Sequence, residues 1–211
     1  EPGSTAKPLT VAAAMEEGTV VPSDRFECTG SLQVADNLIK CHNYEKGGCG
    51  NIDLESVLAN SCNVGLMEIG EELGRQEFYR YQKLFNLGEK TGIDLPGEAS
   101  GLLFTEDQLN ITELATSSFG QGYNSTMIQI AAATCSLLNG GYYYKPYVVK
   151  QILDSDGRVI KETEPEIVRE TVSEETSEFM KDAFLLTVEQ GTGGGTKIPG
   201  YHIGGKTGTA E

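Results

Sequence analysis

Ser4-Thr5-Ala6-Lys7-Pro8-Leu9-Thr10-Val11-Ala12-Ala13-Ala14-Met15-Glu16 is the stretch on which the reading turns. From Lys7 to Glu16 it predicts a short helix: Ala12, Ala13 and Ala14 are strong helix formers, and Pro8 comes early enough that its missing N–H costs little. Gly18 closes it. Ser4 and Lys7, three residues apart at the helix entry, project from one face with their Cβ atoms about 5–6 Å apart. A serine hydroxyl is a weak nucleophile until a neighbour takes its proton, and an amine does so only while neutral. Bringing a lysine from about 10.4 down to about 7–8 takes roughly 3–4 kcal/mol against the charged form, from burial or a second cation.

Outward from that helix, Thr19 to Asn51 is rich in Gly, Asn and Cys with brief β-like runs, and predicts a loop-dominated excursion. Asp53 predicts an N-cap for a helix through Ala59. Two helices are expected after Ser61-Cys62-Asn63: Val64 to Leu73, closed by Gly74, and Gln76 to Phe85, with Phe78, Tyr81, Leu84 and Phe85 at helical spacing as core. Thr105-Glu106-Asp107-Gln108 reads as a capping box opening a helix to Ala115, and Thr126 to Leu138 as an apolar helix. Tyr147–Leu153 and Arg158–Lys161 flank a turn at Asp154–Gly157, which predicts a hairpin. Ser173 caps an expected helix to Gln190, and His202 to Thr209 reads as a strand. Helices first and strands later imply an α+β domain.

The 211 residues carry a formal charge of -15 with 38% apolar content, enough for a real core and the wrong sign for a phosphate backbone. No nucleic-acid partner is expected. No run is long and apolar enough to span a membrane. Three of the five cysteines, Cys28, Cys41 and Cys49, fall within the excursion. A zinc site using these with His42 is not expected, because paired Cys-x-x-Cys knuckles are lacking. Cys28–Cys41 is the disulfide expected if any pair forms, and Cys135 reads as a small buried hydrophobe.

Ser4-Thr5-Ala6-Lys7, Ser61-Cys62-Asn63 and Lys206-Thr207-Gly208-Thr209 are each weak alone, since Ser and Asn between helices usually cap them. The last is the strongest, because Gly204 and Gly205 beside it allow close approach of a ligand to the backbone. In this order the three resemble the Ser-x-x-Lys, Ser-x-Asn, Lys-Thr-Gly set of penicillin-interacting serine enzymes. Glu1-Pro2-Gly3-Ser4-Thr5, Thr91-Gly92-Ile93-Asp94-Leu95-Pro96-Gly97-Glu98, Ser118-Phe119-Gly120-Gln121-Gly122 and Gly205-Lys206-Thr207-Gly208-Thr209-Ala210-Glu211 resemble the transpeptidase domain of class B penicillin-binding proteins. Gly48-Cys49-Gly50 departs from that pattern, which has histidine in place of Cys49.

The resemblance implies a β-lactamase/transpeptidase-like fold, an antiparallel sheet flanked by helices, with residues 1–211 a partial domain cut after the Lys-Thr-Gly strand. It implies a peptidoglycan D,D-transpeptidase working through an acyl-enzyme, with Ser4 as nucleophile and Lys7 as base. Ser61 would relay a proton, Asn63 would hold Lys7 and a substrate amide, and Lys206 with Thr207 and Gly208 would bind a terminal carboxylate. Backbone N–H groups of Ser4 and Thr209 would form an oxyanion hole. Implied partners are a stem peptide ending in D-Ala-D-Ala, β-lactam antibiotics and further cell-wall synthesis proteins, with no cofactor and no metal. The parent would act on the extracytoplasmic face of the bacterial membrane behind an N-terminal anchor. A D,D-carboxypeptidase and a non-catalytic β-lactam sensor share these motifs. So does a class A β-lactamase, whose Glu-x-x-Leu-Asn signature Glu106–Asn110 resembles; the capping box explains Glu106 and Gln108 locally, and Cys62 stands where class A enzymes carry aspartate.

Overall fold

The computed structural model describes residues 1–209. Helix α1 (Lys7–Glu16) follows a 3-10 turn at Gly3–Ala6 and is buried on every side from Lys7 to Ala14. A helix apolar nearly all round has to sit inside other helices, and α1 packs against three of the five that follow. These are α2 (Leu54–Ala59), α3 (Asn63–Leu84), α4 (Ile111–Ser118), α5 (Met127–Leu138) and α6 (Glu174–Glu189). α1 lies against α3, α5 and α6, while α4 rests on α3 and α2 on α6.

The starts are fixed by side-chain caps. Asp53 Oδ1 accepts from the Ser56 N–H at 2.9 Å, Thr126 and Gln129 exchange bonds as a capping box, and Ser173 Oγ accepts from the Thr176 N–H at 3.2 Å. Each satisfies a backbone donor that the helix cannot, worth about 1 kcal/mol. The two helices expected between 63 and 85 lie end to end across a break at Gly74, whose φ of 77° is left-handed.

Four expectations change, three of them in the helices and the excursion. The Thr105 capping box forms, but its turn ends at Gln108, and Asn110 caps a new helix by accepting from the Thr112 and Glu113 N–H groups. The excursion contains four short strands, β1 (Arg25–Cys28), β2 (Ser31–Val34), β3 (Asn37–Lys40) and β4 (Gly50–Asp53), paired antiparallel as β1–β4 and β2–β3. Cys135 is exposed on α5 rather than buried.

The remaining strands are β5 (Tyr142–Tyr144), β6 (Gln151–Leu153), β7 (Val159–Glu162) and β8 (Ile167–Glu170), paired β5–β8 and β6–β7. The α+β class therefore holds, and its antiparallel pairing among the described residues runs through four two-stranded ribbons. His202 to Thr209 carries no ladder, contrary to the strand expected there. A strand exists by pairing with a neighbour. This segment lies on α6 instead, where the Gly205 N–H donates to the Phe184 carbonyl at 3.0 Å. No helix among the described residues is long and apolar enough to cross a membrane.

Candidate active site

Ser4 sits in the 3-10 turn that enters α1, and it lines a cleft of about 850 Å³ together with Ser61, Asn63, Thr207 and Thr209. The turn is held from below by backbone contact: the Gly3 N–H donates to the Gly120 carbonyl at 2.9 Å. Gly208 approaches the same turn so closely that a Cβ there would stand 2.7 Å from Thr5 Cγ2. The three motifs, distant in sequence, thus converge on one wall.

Lys7 is completely buried one turn inside α1. A cationic amine there needs acceptors, and Nζ donates to the Ser61 carbonyl at 2.6 Å, Ser61 Oγ at 3.0 Å and Asn63 Oδ1 at 2.7 Å. Burial still wins, lowering Lys7 to about 8, although Cys41, Cys62 and Cys49 nearby act to raise it. Lys206 Nζ donates to Ser61 Oγ at 2.9 Å and to the Thr207 carbonyl at 3.0 Å. It is lowered further, to about 7, first by burial and then by the charge of Lys7. Two amines therefore share one hydroxyl oxygen, and bringing the first proton onto the pair makes the second harder to add.

That sharing orients Ser61. A hydroxyl has two lone pairs and one hydrogen, so with both pairs taken by lysines its O–H is left to donate to a third group. Ser61 is placed by the end of α2: its N–H donates to the Leu58 carbonyl at 3.0 Å and the Cys62 N–H to the Val57 carbonyl at 2.9 Å. These two bonds are the Schellman pattern, in which the residue at Ser61 is left-handed, and Ser61 has φ 54°. Cys62 then caps α3, its Sγ accepting from the Gly65 N–H at 3.4 Å. Asn63 gives its carbonyl oxygen to Lys7 and donates from Nδ2 to the Lys40 carbonyl at 3.2 Å. Its second amide hydrogen remains for another acceptor.

Some cleft residues were not legible in the motifs. Thr192 lines the cleft, and its Oγ1 lies 2.7 Å from Thr207 Oγ1. Its Gly191-Thr192-Gly193 setting was the available signal: a Cβ on Gly191 would meet the Ala59 carbonyl at 2.1 Å, so only glycine fits. Thr112, Thr116, Phe119 and Gln121 form another part of the wall. Glu106 is not among the lining residues, and its capping box is formed. Ala210 and Glu211, which belong to the resemblance at the Lys-Thr-Gly motif, lie outside the described residues.

The cysteines are all free thiols, so the Cys28–Cys41 disulfide is not formed. Instead the sulfurs of Cys28, Cys41, Cys49 and Cys62 lie within 4.8 Å of one another. The spacing argument against a metal assumed that ligands arrive in local pairs; here β1, β4, the end of β3 and the start of α3 bring them in singly.

The family model described as penicillin binding protein transpeptidase domain matches residues 1–211. Stage V sporulation protein D of Bacillus subtilis is 41% identical over 213 residues, covering 100% of this chain and 33% of that protein. Among solved structures, the D,D-transpeptidase domain of a peptidoglycan glycosyltransferase from Eggerthella lenta superposes with a TM-score of 0.91 at 26% identity, covering 100% of this chain and 54% of that one. Penicillin-binding protein 3 of Mycobacterium tuberculosis, complexed with ampicillin, matches with a TM-score of 0.89 at 30% identity, covering 100% of this chain and 47% of that one. The chain spans about a third of the curated relative and about half of each structure. It belongs to the penicillin-binding protein transpeptidase domain family.

Proposed function

We propose that this chain carries the acylating centre of a bacterial peptidoglycan D,D-transpeptidase. The observation that supports it most is the buried Lys7 amine, lowered to about 8 and sharing the Ser61 hydroxyl with a second lowered amine, Lys206, in one cleft with Ser4. Lys7 in its neutral form takes the Ser4 proton as Oγ bonds to the carbonyl carbon of the penultimate D-Ala in a stem peptide. Lys206, with Thr207 and Gly208, receives the terminal carboxylate. Backbone N–H groups of Ser4 and Thr209 hold the oxyanion, where each donor is typically worth about 10²–10³ in rate. As the peptide C–N bond breaks, the proton passes from Lys7 through Ser61 to the departing D-Ala nitrogen. Asn63 fixes Lys7 and offers its free amide hydrogen to the peptide.

The acyl-enzyme ester is then attacked by an amine of a neighbouring peptide, which forms the cross-link and returns the proton to Ser4 Oγ. A β-lactam takes the same path to the ester and stays. Such a substrate places the site on the extracytoplasmic face of the cell membrane, with the parent anchored through a segment N-terminal to Glu1.

The test is the full-length protein with a synthetic stem peptide ending in D-Ala-D-Ala and an amine acceptor. D-Ala release with a cross-linked product is expected, and S4A should abolish both along with covalent labelling by a fluorescent penicillin. Hydrolysis without cross-linking would assign a carboxypeptidase. Labelling without turnover of peptide would assign a sensor.

A further inference from the structure

Four of the five cysteines meet beside the candidate active site, with Cys41 on the wall of its cleft. Cys28 ends β1 opposite Gly50, Cys41 follows β3, Cys49 precedes β4 and Cys62 caps α3. Their sulfurs are mutually within 4.8 Å, with Cys41 and Cys49 at 3.9 Å. Cys28, Cys41 and Cys62 are buried, and Cys49 is partly so. A zinc ion with four thiolates at about 2.3 Å in a tetrahedron sets sulfur–sulfur distances near 3.8 Å. The observed cluster has that size to within about 1 Å. Separations this short leave room for one ion and not for a cluster of several irons.

The surroundings suit sulfur anions. The Gly65 N–H donates to Cys62 Sγ at 3.4 Å and Asn43 donates from Nδ2 to Cys49 Sγ at 3.5 Å. His42 Nδ1 lies 3.6 Å from Cys41 Sγ. Donors of this kind around ligating sulfurs fix their orientation and offset their charge. The Gly47-Gly48-Cys49-Gly50 turn has three left-handed glycines, and a Cβ on Gly48 would stand 2.1 Å from the Cys28 carbonyl. The backbone is thus drawn tight enough to bring Cys49 beside Cys28.

We propose that Cys28, Cys41, Cys49 and Cys62 bind one structural zinc ion. The four thiols release their protons to solvent as four Zn–S bonds form, leaving a closed site of net charge -2 with no open position for substrate. No electron moves. The ion ties the excursion to the start of α3, and because Cys62 lies between Ser61 and Asn63, it fixes the backbone that presents both to Lys7. This is a site separate from the acylating chemistry, and it stands whether or not the peptide is the substrate.

The experiment is metal analysis of the full-length protein purified anaerobically from zinc-supplemented medium. Expected is one zinc that depends on Cys49, the least buried ligand, together with the thiolate-to-metal charge-transfer and tetrahedral d–d bands of the protein reloaded with cobalt alone. C49S should bind zinc about tenfold more weakly or worse and change the cobalt spectrum, while C135S, whose sulfur is elsewhere, keeps both. If C49S does not fold, the cobalt spectra of the wild type and C135S decide. A protein without zinc or cobalt bands, full zinc retention in C49S, iron in place of zinc, or disulfides among these four in the anaerobic protein would each overturn the proposal.

Discussion

Replacing Gly120 with alanine tests how the nucleophile's turn is held. Gly120 has φ 93°, and a Cβ there would stand 1.9 Å from the Gly3 carbonyl oxygen and 2.6 Å from its carbon. That is about 1.5 Å short of ordinary non-bonded contact. The left-handed backbone alone costs an alanine about 1–2 kcal/mol. Losing the bond from the Gly3 N–H to the Gly120 carbonyl costs about 1 kcal/mol, and forcing two backbones apart about 1–3 kcal/mol. Together G120A should lose about 3–6 kcal/mol. G18A is the control, because Gly18 has φ 65° with nothing within 4 Å of its Cβ position; it should lose only the first part, about 1–2 kcal/mol. Urea unfolding gives both numbers, and stopped-flow acylation by penicillin gives the consequence at Ser4. A displacement near 1 Å there is worth about a hundredfold in rate. If G120A unfolded at the same urea concentration as G18A and acylated at the wild-type rate, the contact would not be what positions Ser4.

Other outcomes follow from the same geometry. Lys7→Arg should lower the acylation rate by about 10²- to 10⁴-fold, since guanidinium keeps its proton and cannot serve as base; a near-normal rate in stopped flow would remove Lys7 from that role. With Lys206 near 7 and Lys7 near 8, the coupled pair carries one proton between those values, held mainly on Lys7. The acylating form, with that proton on Lys206 and Lys7 neutral, is the minor arrangement of the same singly protonated pair and so peaks in the same window. Below about 7 both amines are charged and no base exists; above about 8 both are neutral and no cation meets the carboxylate. The acylation rate against pH should therefore be a bell with its maximum between 7 and 8, and a rate rising steadily to pH 9.5 would contradict the division of roles. Asp53→Ala should lower stability by about 1 kcal/mol in urea by removing the α2 cap, and no change would show that the cap bond is replaced by water.

How much of this was legible follows from where the information sits. Caps are local, so Asp53 and Ser173 were readable from side chains within one turn of the helices they start, while Thr126, read as the first residue of its helix, is its cap. The 105–115 helix failed because two local signals, the Thr105 box and the Asn110 cap, compete within six residues and both win briefly. The strands of the excursion escaped because four residues carry too few alternations to register, and their pairing partners lie on the far side of loops. The Thr91–Glu98 stretch was recognised by likeness, and the structure supplies its physics. Glu98 accepts from the Thr91 N–H and hydroxyl and the Gly92 N–H, while Asp94 accepts from the Val148 and Val149 N–H groups and so holds the entry to the β6–β7 hairpin. Both carboxyls are held below their usual range, Glu98 first by the Thr91 hydroxyl and Asp94 first by the Val148 N–H. Of the cysteine convergence the sequence showed only Cys28, Cys41 and Cys49 in one excursion; that Cys62 joins them was not legible, because each sulfur comes from a different part of the fold.

Ser61 shows what the site asks of the fold. Its position after α2 is one that glycine fills most readily, and a serine at φ 54° costs about 1 kcal/mol or more relative to glycine. Nothing in the packing of α2 requires the side chain: both Schellman bonds are made by backbone groups. Only the hydroxyl's contacts do, at 3.0 Å to Lys7 and 2.9 Å to Lys206. The strain is therefore tolerated where it hands one oxygen to two amines, and it persists because the segment is held on both sides, by the end of α2 before it and by the Cys62 cap of α3 after it. A metal bound at Cys62 would add a third restraint to the same three residues.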